Sequence, residues 1–261
     1  MVTSEKDFIS VEKSRVSEWS DIYDRNPRLG NDTDFDSLPD DSTLPIFQEN
    51  GIAGYPQINF VQREIPQSSD IGSSDKDEGY RSALRTTNYN FASNPFTFFV
   101  VAKSSPSLGG VSEQILLSQA SSYEYLGFGV KDGAPYLYSS DTTSVISPID
   151  DIIKGKGVGI ERVEAESIDT SWHVYCFSSK DGIDGGEINV SAYDNGTRSK
   201  LHLKGIPNLS TYCVVGGGSK HHVDRPWGGS MVEIVFYRTT SISEEEILKI
   251  TNFLMLKYGI E

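Results

Sequence analysis

The sequence predicts an all-β fold: two antiparallel sheets stacked as a sandwich, closed at the C-terminal end by a short α-helix. Three observations predict it. Short runs rich in β-branched and aromatic residues recur from Phe96 onward, each bounded by Gly, Pro, Asn, Asp or Ser. Two tetrapeptides, Lys131-Asp132-Gly133-Ala134 and Asp194-Asn195-Gly196-Thr197, carry the pairs that supply positive φ in two-residue hairpin turns. No alternation of strands with helical segments appears, which argues against a parallel α/β sheet.

The expected strands are, in order, FTFFVVAK (96–103), QILLS (114–118), LGFGVK (126–131), APYLYSS (134–140) and GVGIERV (157–163). WHVYCFS (172–178), EINVSAYD (187–194), RSKLHL (198–203), TYCVVGG (211–217) and SMVEIVFYR (230–238) follow. Residues 96–101 are almost continuously apolar, the pattern of a strand covered on both faces. In 172–178, alternation places Trp172, Val174 and Cys176 on one face and His173, Tyr175 and Phe177 on the other. Trp19 and Trp172 read as core residues. The acidic, turn-rich segments 31–41 and 66–78 read as surface loops, because neither buries enough apolar area to offset chain ordering.

The helix starts at Ser243, which stands three residues before Glu246 in capping-box spacing, with Glu244 to Glu246 at the positive end of the helix dipole. Ile247, Ile250, Leu254 and Tyr258 recur at helical spacing, and Gly259 stands where a left-handed cap belongs.

At 261 residues the chain is long enough for one large sandwich, and 37% hydrophobic residues suffice for a core. A formal charge of −14, from 37 acidic against 23 basic residues, argues against nucleic acid and anionic membrane surfaces as partners. No run approaches the length of about 18 apolar residues that membrane insertion needs. The N-terminal MVTSEKDFISVEKSRV has no apolar core of a secretory signal. The expectation is a protein that is intracellular or leaves the cell by another route, such as packaging into a virus particle. Cys176 and Cys213 both lie in apolar strand-like runs and are read as buried free thiols, with a disulfide as the alternative.

Two stretches carry a family resemblance. GGSMVEIVFYRTTSISEEEILKITNFLMLKYGI (228–260) resembles the closing strand and helix of concanavalin A-like lectin/glucanase jelly rolls of the laminin-G type. RVSEWSDIYDRN (15–26) resembles that family's opening segment, followed by Pro45-Ile46-Phe47, Asn50-Gly51 and the strand PQINF (56–60). The resemblance implies a single jelly-roll domain over 15–261, preceded by a lead-in segment at 1–14. It also implies the settings in which such domains are frequent, phage virion and tail proteins and bacterial surface proteins.

Three segments are candidates for chemistry. Glucanases of this superfamily use paired carboxylates on one strand; Glu161, Glu164 and Glu166 come nearest, but the middle Asp is missing and they read as solvated charges. Asp32, Asp34 and Asp36 alternate as hard oxygen ligands for Ca2+ would. The positions where an EF-hand needs Gly and a bidentate Glu hold Ser37 and Thr43, so a solvated acidic loop competes with an irregular Ca2+ site. In GGGSKHHVDRPWGG (216–229), Lys220, His222, Asp224, Arg225 and Trp227 form a candidate sugar-binding set, an aromatic face beside hydrogen-bonding side chains. The competing reading is a surface connection whose Trp227 packs on the sandwich. No Gly-x-Ser-x-Gly elbow is present.

The expected function is non-enzymatic: a virion structural or adhesion protein, as capsid decoration, tail or fibre component, with other virion proteins and host-surface glycans as partners and a homo-oligomer among the arrangements. The alternatives are a polysaccharide-cleaving hydrolase or lyase of the same fold, and a lectin-like module of a secreted bacterial surface protein, extracellular or at the cell surface.

Overall fold

A computed structural model describes residues 9–12, 15–19, 29–31, 45–60, 84–87, 90–105, 113–121, 124–139, 169–206, 209, 212–217, 227–238 and 240–261. The described strands are β1 (Ile9–Glu12), β2 (Arg15–Trp19), β3 (Leu29–Asn31), β4 (Ile46–Gln48), β5 (Gln57–Phe60), β6 (Leu84–Thr87), β7 (Phe96–Ser104) and β8 (Glu113–Ala120). They continue with β9 (Tyr125–Lys131), β10 (Ala134–Ser139), β11 (Trp172–Ser179), β12 (Glu187–Asp194), β13 (Thr197–Lys204), β14 (Tyr212–Val215) and β15 (Gly229–Arg238). One α-helix, α1 (Glu244–Tyr258), follows.

Hydrogen bonds link the strands in the order β10-β9-β8-β14-β6-β3-β2-β4-β5-β15-β7-β11-β12-β13, with β1 beside β2. All the pairings are antiparallel. The path folds over on itself. Leu116, Leu126, Phe128 and Leu137 from β8, β9 and β10 therefore meet Phe98, Val100, Phe177, Val190 and Leu203 from β7, β11, β12 and β13 in one apolar core. This is a β-sandwich, as the sequence predicts.

The core is aromatic at its centre. Phe98 stacks between Phe177 and Phe236, at 5.3 and 5.4 Å between ring centroids, and meets Phe128 edge-on at 5.3 Å. Each such side chain removed from water contributes about 1.5–3 kcal/mol, with a further ~1 kcal/mol from ring geometry.

The central strand β7 is buried on both faces. Phe96, Phe98, Val100 and Ala102 enter the main core, while Phe99 and Val101 enter a second cluster with Val174, Cys176, Ile247, Leu254 and Tyr258 beneath α1. Ser243 Oγ accepts from the Glu246 amide and the Glu246 side chain accepts from the Ser243 amide, completing the capping box, and Gly259 ends the helix in the left-handed region at φ 63°. Ile250 of the expected stripe is only half-buried; Thr251 is the fully buried residue at that level. Salt bridges fasten both ends of α1: Arg198 to Glu244 at 2.7 Å and Lys257 to Glu233 at 3.1 Å.

Both predicted hairpins form, with Asp132 and Gly133 at φ 49° and 80° and Asn195 and Gly196 at φ 45° and 87°. Cys176 and Cys213 are free and buried, each in a different cluster. The expected strand at 157–163 lies outside the described residues.

Candidate functional site

Sheet register brings together residues that are far apart in sequence. Asn59 of β5 stands opposite Ser230 of β15. Ser230 stands opposite Lys103 of β7, and Lys103 opposite Trp172 of β11. Cross-strand partners share a face. Here it is the outer one, because Ile58, Phe60, Ala102 and Met231 beside them point into the main core. A transverse row of Asn59, Ser230, Lys103 and Trp172 therefore crosses the outside of the sheet, all half-buried, next to α1.

Gln48 and Gln57, directly opposite each other on β4 and β5, extend the row. Its polar side chains interlock. Ser230 Oγ donates to Asn59 Oδ1 at 2.6 Å, and Gln57 Nε2 donates to Asn59 Oδ1 at 2.8 Å and to Ser230 Oγ at 3.2 Å. Gln48 Oε1 accepts from Asn59 Nδ2 at 3.0 Å and from Gln57 Nε2 at 3.1 Å, while Gln48 Nε2 donates to the Asn50 carbonyl at 2.9 Å.

Two features fix the row in place. Gly229 begins β15 at φ 148°, and a Cβ there would overlap the Lys103 carbonyl, so only glycine lets β15 close onto β7 at this level. On the other side, Tyr55 meets Tyr258 edge-on at 5.0 Å, and Lys257 Nζ lies over both rings at 5.2 and 4.9 Å. Tyr258 also donates to Glu233 Oε2 at 2.8 Å. The last turn of α1 thus holds the segment that leads into β5.

On the inner side of the same sheet end, His173 sits between two carboxylates. Its Nδ1 is 2.6 Å from Asp194 Oδ1 and its Nε2 is 3.1 Å from Asp169 Oδ2, with the ring stacked on Tyr175 at 5.3 Å. The Asp194 hydrogen bond is the main cause that raises the imidazole above its ordinary value, against the opposing effect of burial. Asp169 is held below the usual carboxylate value, chiefly by the backbone and side chain of Ser171. With both nitrogens facing acids, the protonated ring donates twice and ties the start of β11 to the β12–β13 hairpin. That arrangement serves as a staple.

Of the two readings of Trp227, an open sugar-binding face or a residue packed on the sandwich, the structure shows the second. Trp227 is 0% exposed within the main core, so its ring faces are covered by protein rather than open to a sugar. Its backbone amide donates to the Gly216 carbonyl at 3.0 Å, and its indole Nε1 has no hydrogen-bond partner among the described residues. The physical reason is the pull of a large apolar surface into the core, which outweighs one unpaired donor. Lys220, His222, Asp224 and Arg225 lie outside the described residues, as do Asp32, Asp34, Asp36 and Glu161, Glu164, Glu166. Among the described residues no group of three or more His, Cys, Asp or Glu side chains is placed to hold a metal ion.

Trp172, expected in the core, is instead half-buried at the margin of the cluster beneath α1. The outer row was missed by sequence reasoning. Its one local signal is the alternation in Gln57-Ile58-Asn59-Phe60, polar out and apolar in.

The sequence matches no protein-family model and no curated protein. Among solved structures, the binding domain of Paraclostridial Mosquitocidal Protein 1 is similar at 14% identity over 95% of this chain and 51% of that one, with a TM-score of 0.47. The binding domain of botulinum neurotoxin serotype D is similar at 12% identity over 89% and 49%, TM-score 0.44. The Ruminococcus gnavus IT-sialidase CBM40, bound to alpha2,3 sialyllactose, is similar at 13% identity over 60% and 82%, TM-score 0.37. The chain spans about half the length of the toxin domains.

Proposed function

We propose that this chain is a non-catalytic binding module that holds a glycan on its outer sheet face, as an adhesive component of a larger assembly. One observation carries the proposal: the interlocked row of neutral amides and a hydroxyl, Gln48, Gln57, Asn59 and Ser230, in register with the indole of Trp172. Sugar hydroxyls both donate and accept, and a carboxamide offers both functions at fixed geometry. An indole face suits the apolar C–H side of a sugar ring. Because the amides already hold one another, little side-chain freedom is lost when a ligand arrives.

A glycan array probed with the wild-type protein and with Asn59→Ala tests it. The expected result is binding by the wild type and a loss of about tenfold or more in the variant, with circular dichroism unchanged. No binding to any glycan, or equal binding by both proteins, refutes the proposal. Repeating the array in EDTA tests the Ca2+ reading of Asp32, Asp34 and Asp36, since a Ca2+-dependent site loses its signal. The virion placement has its own test, mass spectrometry of purified particles, and absence of the chain from them refutes that placement alone.

A further inference from the structure

The row that binds in the proposal above is neutral except at its centre, where Lys103 stands between Ser230 and Trp172. In a chain carrying a net charge of −14, a cation would ordinarily find a carboxylate. Lys131, Lys204, Lys249 and Lys257 do, pairing with Glu113, Glu187, Glu245 and Glu233 at 2.6–3.1 Å, while Lys180 and Lys200, which lack an ion pair among the described residues, are exposed to solvent and Lys103 is half-buried. Lys103 has no ion pair or side-chain hydrogen bond among the described residues.

Two carboxylates near the row are already engaged. Glu233 stands opposite Val101, two positions from Lys103 along the same face of β7, and its Oε2 accepts from both Lys257 at 3.1 Å and Tyr258 at 2.8 Å. Asp169 lies three residues before Trp172. Its Oδ1 accepts from the Ser171 amide at 2.8 Å and its Oδ2 faces His173, on the opposite side of the sheet from Lys103. With these acids engaged, the half-buried residue Lys103 has no acid partner among the described residues and stands in register with Trp172 on one side and Ser230 on the other.

We propose that Lys103 makes this surface selective for glycans that bear a carboxylate, such as uronic or sialic acids. The claim rests on the sheet-face reading and adds the charge of the ligand. A sugar carboxylate supplies the missing counter-ion, while the amides and Trp172 take the hydroxyls and the ring face. Partial burial shields the pair from solvent more than a fully exposed pair would be.

The test uses matched probes that differ only in charge: oligogalacturonate against its methyl ester, and sialyllactose against its methyl ester. Affinities are measured by calorimetry for the wild type, Lys103→Gln and Asn59→Ala. The expected result is that the wild type prefers the acid of at least one pair by about fivefold, near the upper limit for a solvent-exposed ion pair. Lys103→Gln abolishes that preference yet still binds the ester, which also shows that the variant folds, and Asn59→Ala weakens both members together. Equal wild-type affinity for acid and ester overturns the selectivity while leaving the glycan platform standing. Failure to bind either member of either pair, together with an empty array, sinks the platform and the selectivity with it.

Discussion

Removing Asn59 and Ser230 singly and together measures whether the outer row is one unit. Asn59 takes part in three side-chain hydrogen bonds, two of them partly buried, with Gln57 at 2.8 Å and Ser230 at 2.6 Å, and one exposed, with Gln48 at 3.0 Å. A partly buried bond of this kind nets about 0.5–1.5 kcal/mol, and an exposed one is largely replaced by water. Asn59→Ala therefore costs about 1.5 kcal/mol of folding stability. Ser230→Ala, which breaks the bonds to Asn59 and Gln57, costs about 1 kcal/mol. The 2.6 Å bond is lost in both, so the double variant falls short of the 2.5 kcal/mol sum by about 1 kcal/mol. The backbone ladder and the buried partners Ile58, Phe60 and Met231 are untouched, so all three variants fold. Urea unfolding with linear extrapolation reads each value. Additivity within about 0.3 kcal/mol would refute the reasoning, because it would mean that the two side chains act separately.

Three other outcomes follow from the fold. Phe98→Ala, which leaves a void among Phe128, Phe177 and Phe236, destabilises the protein by about 3–5 kcal/mol in the same assay, and a cost under 1 kcal/mol would contradict the packing described. His173 is raised above its ordinary value of 6.5 by Asp194 and Asp169, so its stabilisation is fully present below pH 6.5 and is lost as pH rises through the higher folded value. Thermal midpoints of the wild type decline across that window and those of His173→Gln do not; parallel curves would refute the staple. Burial pushes both thiols well above their ordinary value, so Cys176 and Cys213 resist iodoacetamide in native protein and react after unfolding, whereas rapid native labelling would contradict their placement.

The sequence carried the elements better than the site. The strand expected at 187–194 was legible to the residue and the one expected at 96–103 to within one, because alternation, β-branching and the flanking turn residues are local, and the helix was legible from Ser243, Glu246, its apolar spacing and Gly259. The outer row was not, because it exists only through the non-local order β5-β15-β7-β11, which joins residues 59, 230, 103 and 172. Within that order Asn59 and Ser230 are neighbours, although 171 positions separate them in the chain. The segment 216–229 drew attention instead, because its composition is unusual. Composition does not reveal depth, and Trp227 at its end belongs to the core.

The most direct test of the central claim is a nitrogen–proton correlation spectrum recorded as the array's strongest glycan is titrated in, because it reports the row's own side chains. A glycan held on the outer row makes the carboxamide signals of Gln48, Gln57 and Asn59 and the indole signal of Trp172 shift together and saturate, while the buried indole of Trp227 stays still. Shifts confined to residues 218–226, or a moving Trp227 beside a silent Asn59, would contradict that claim.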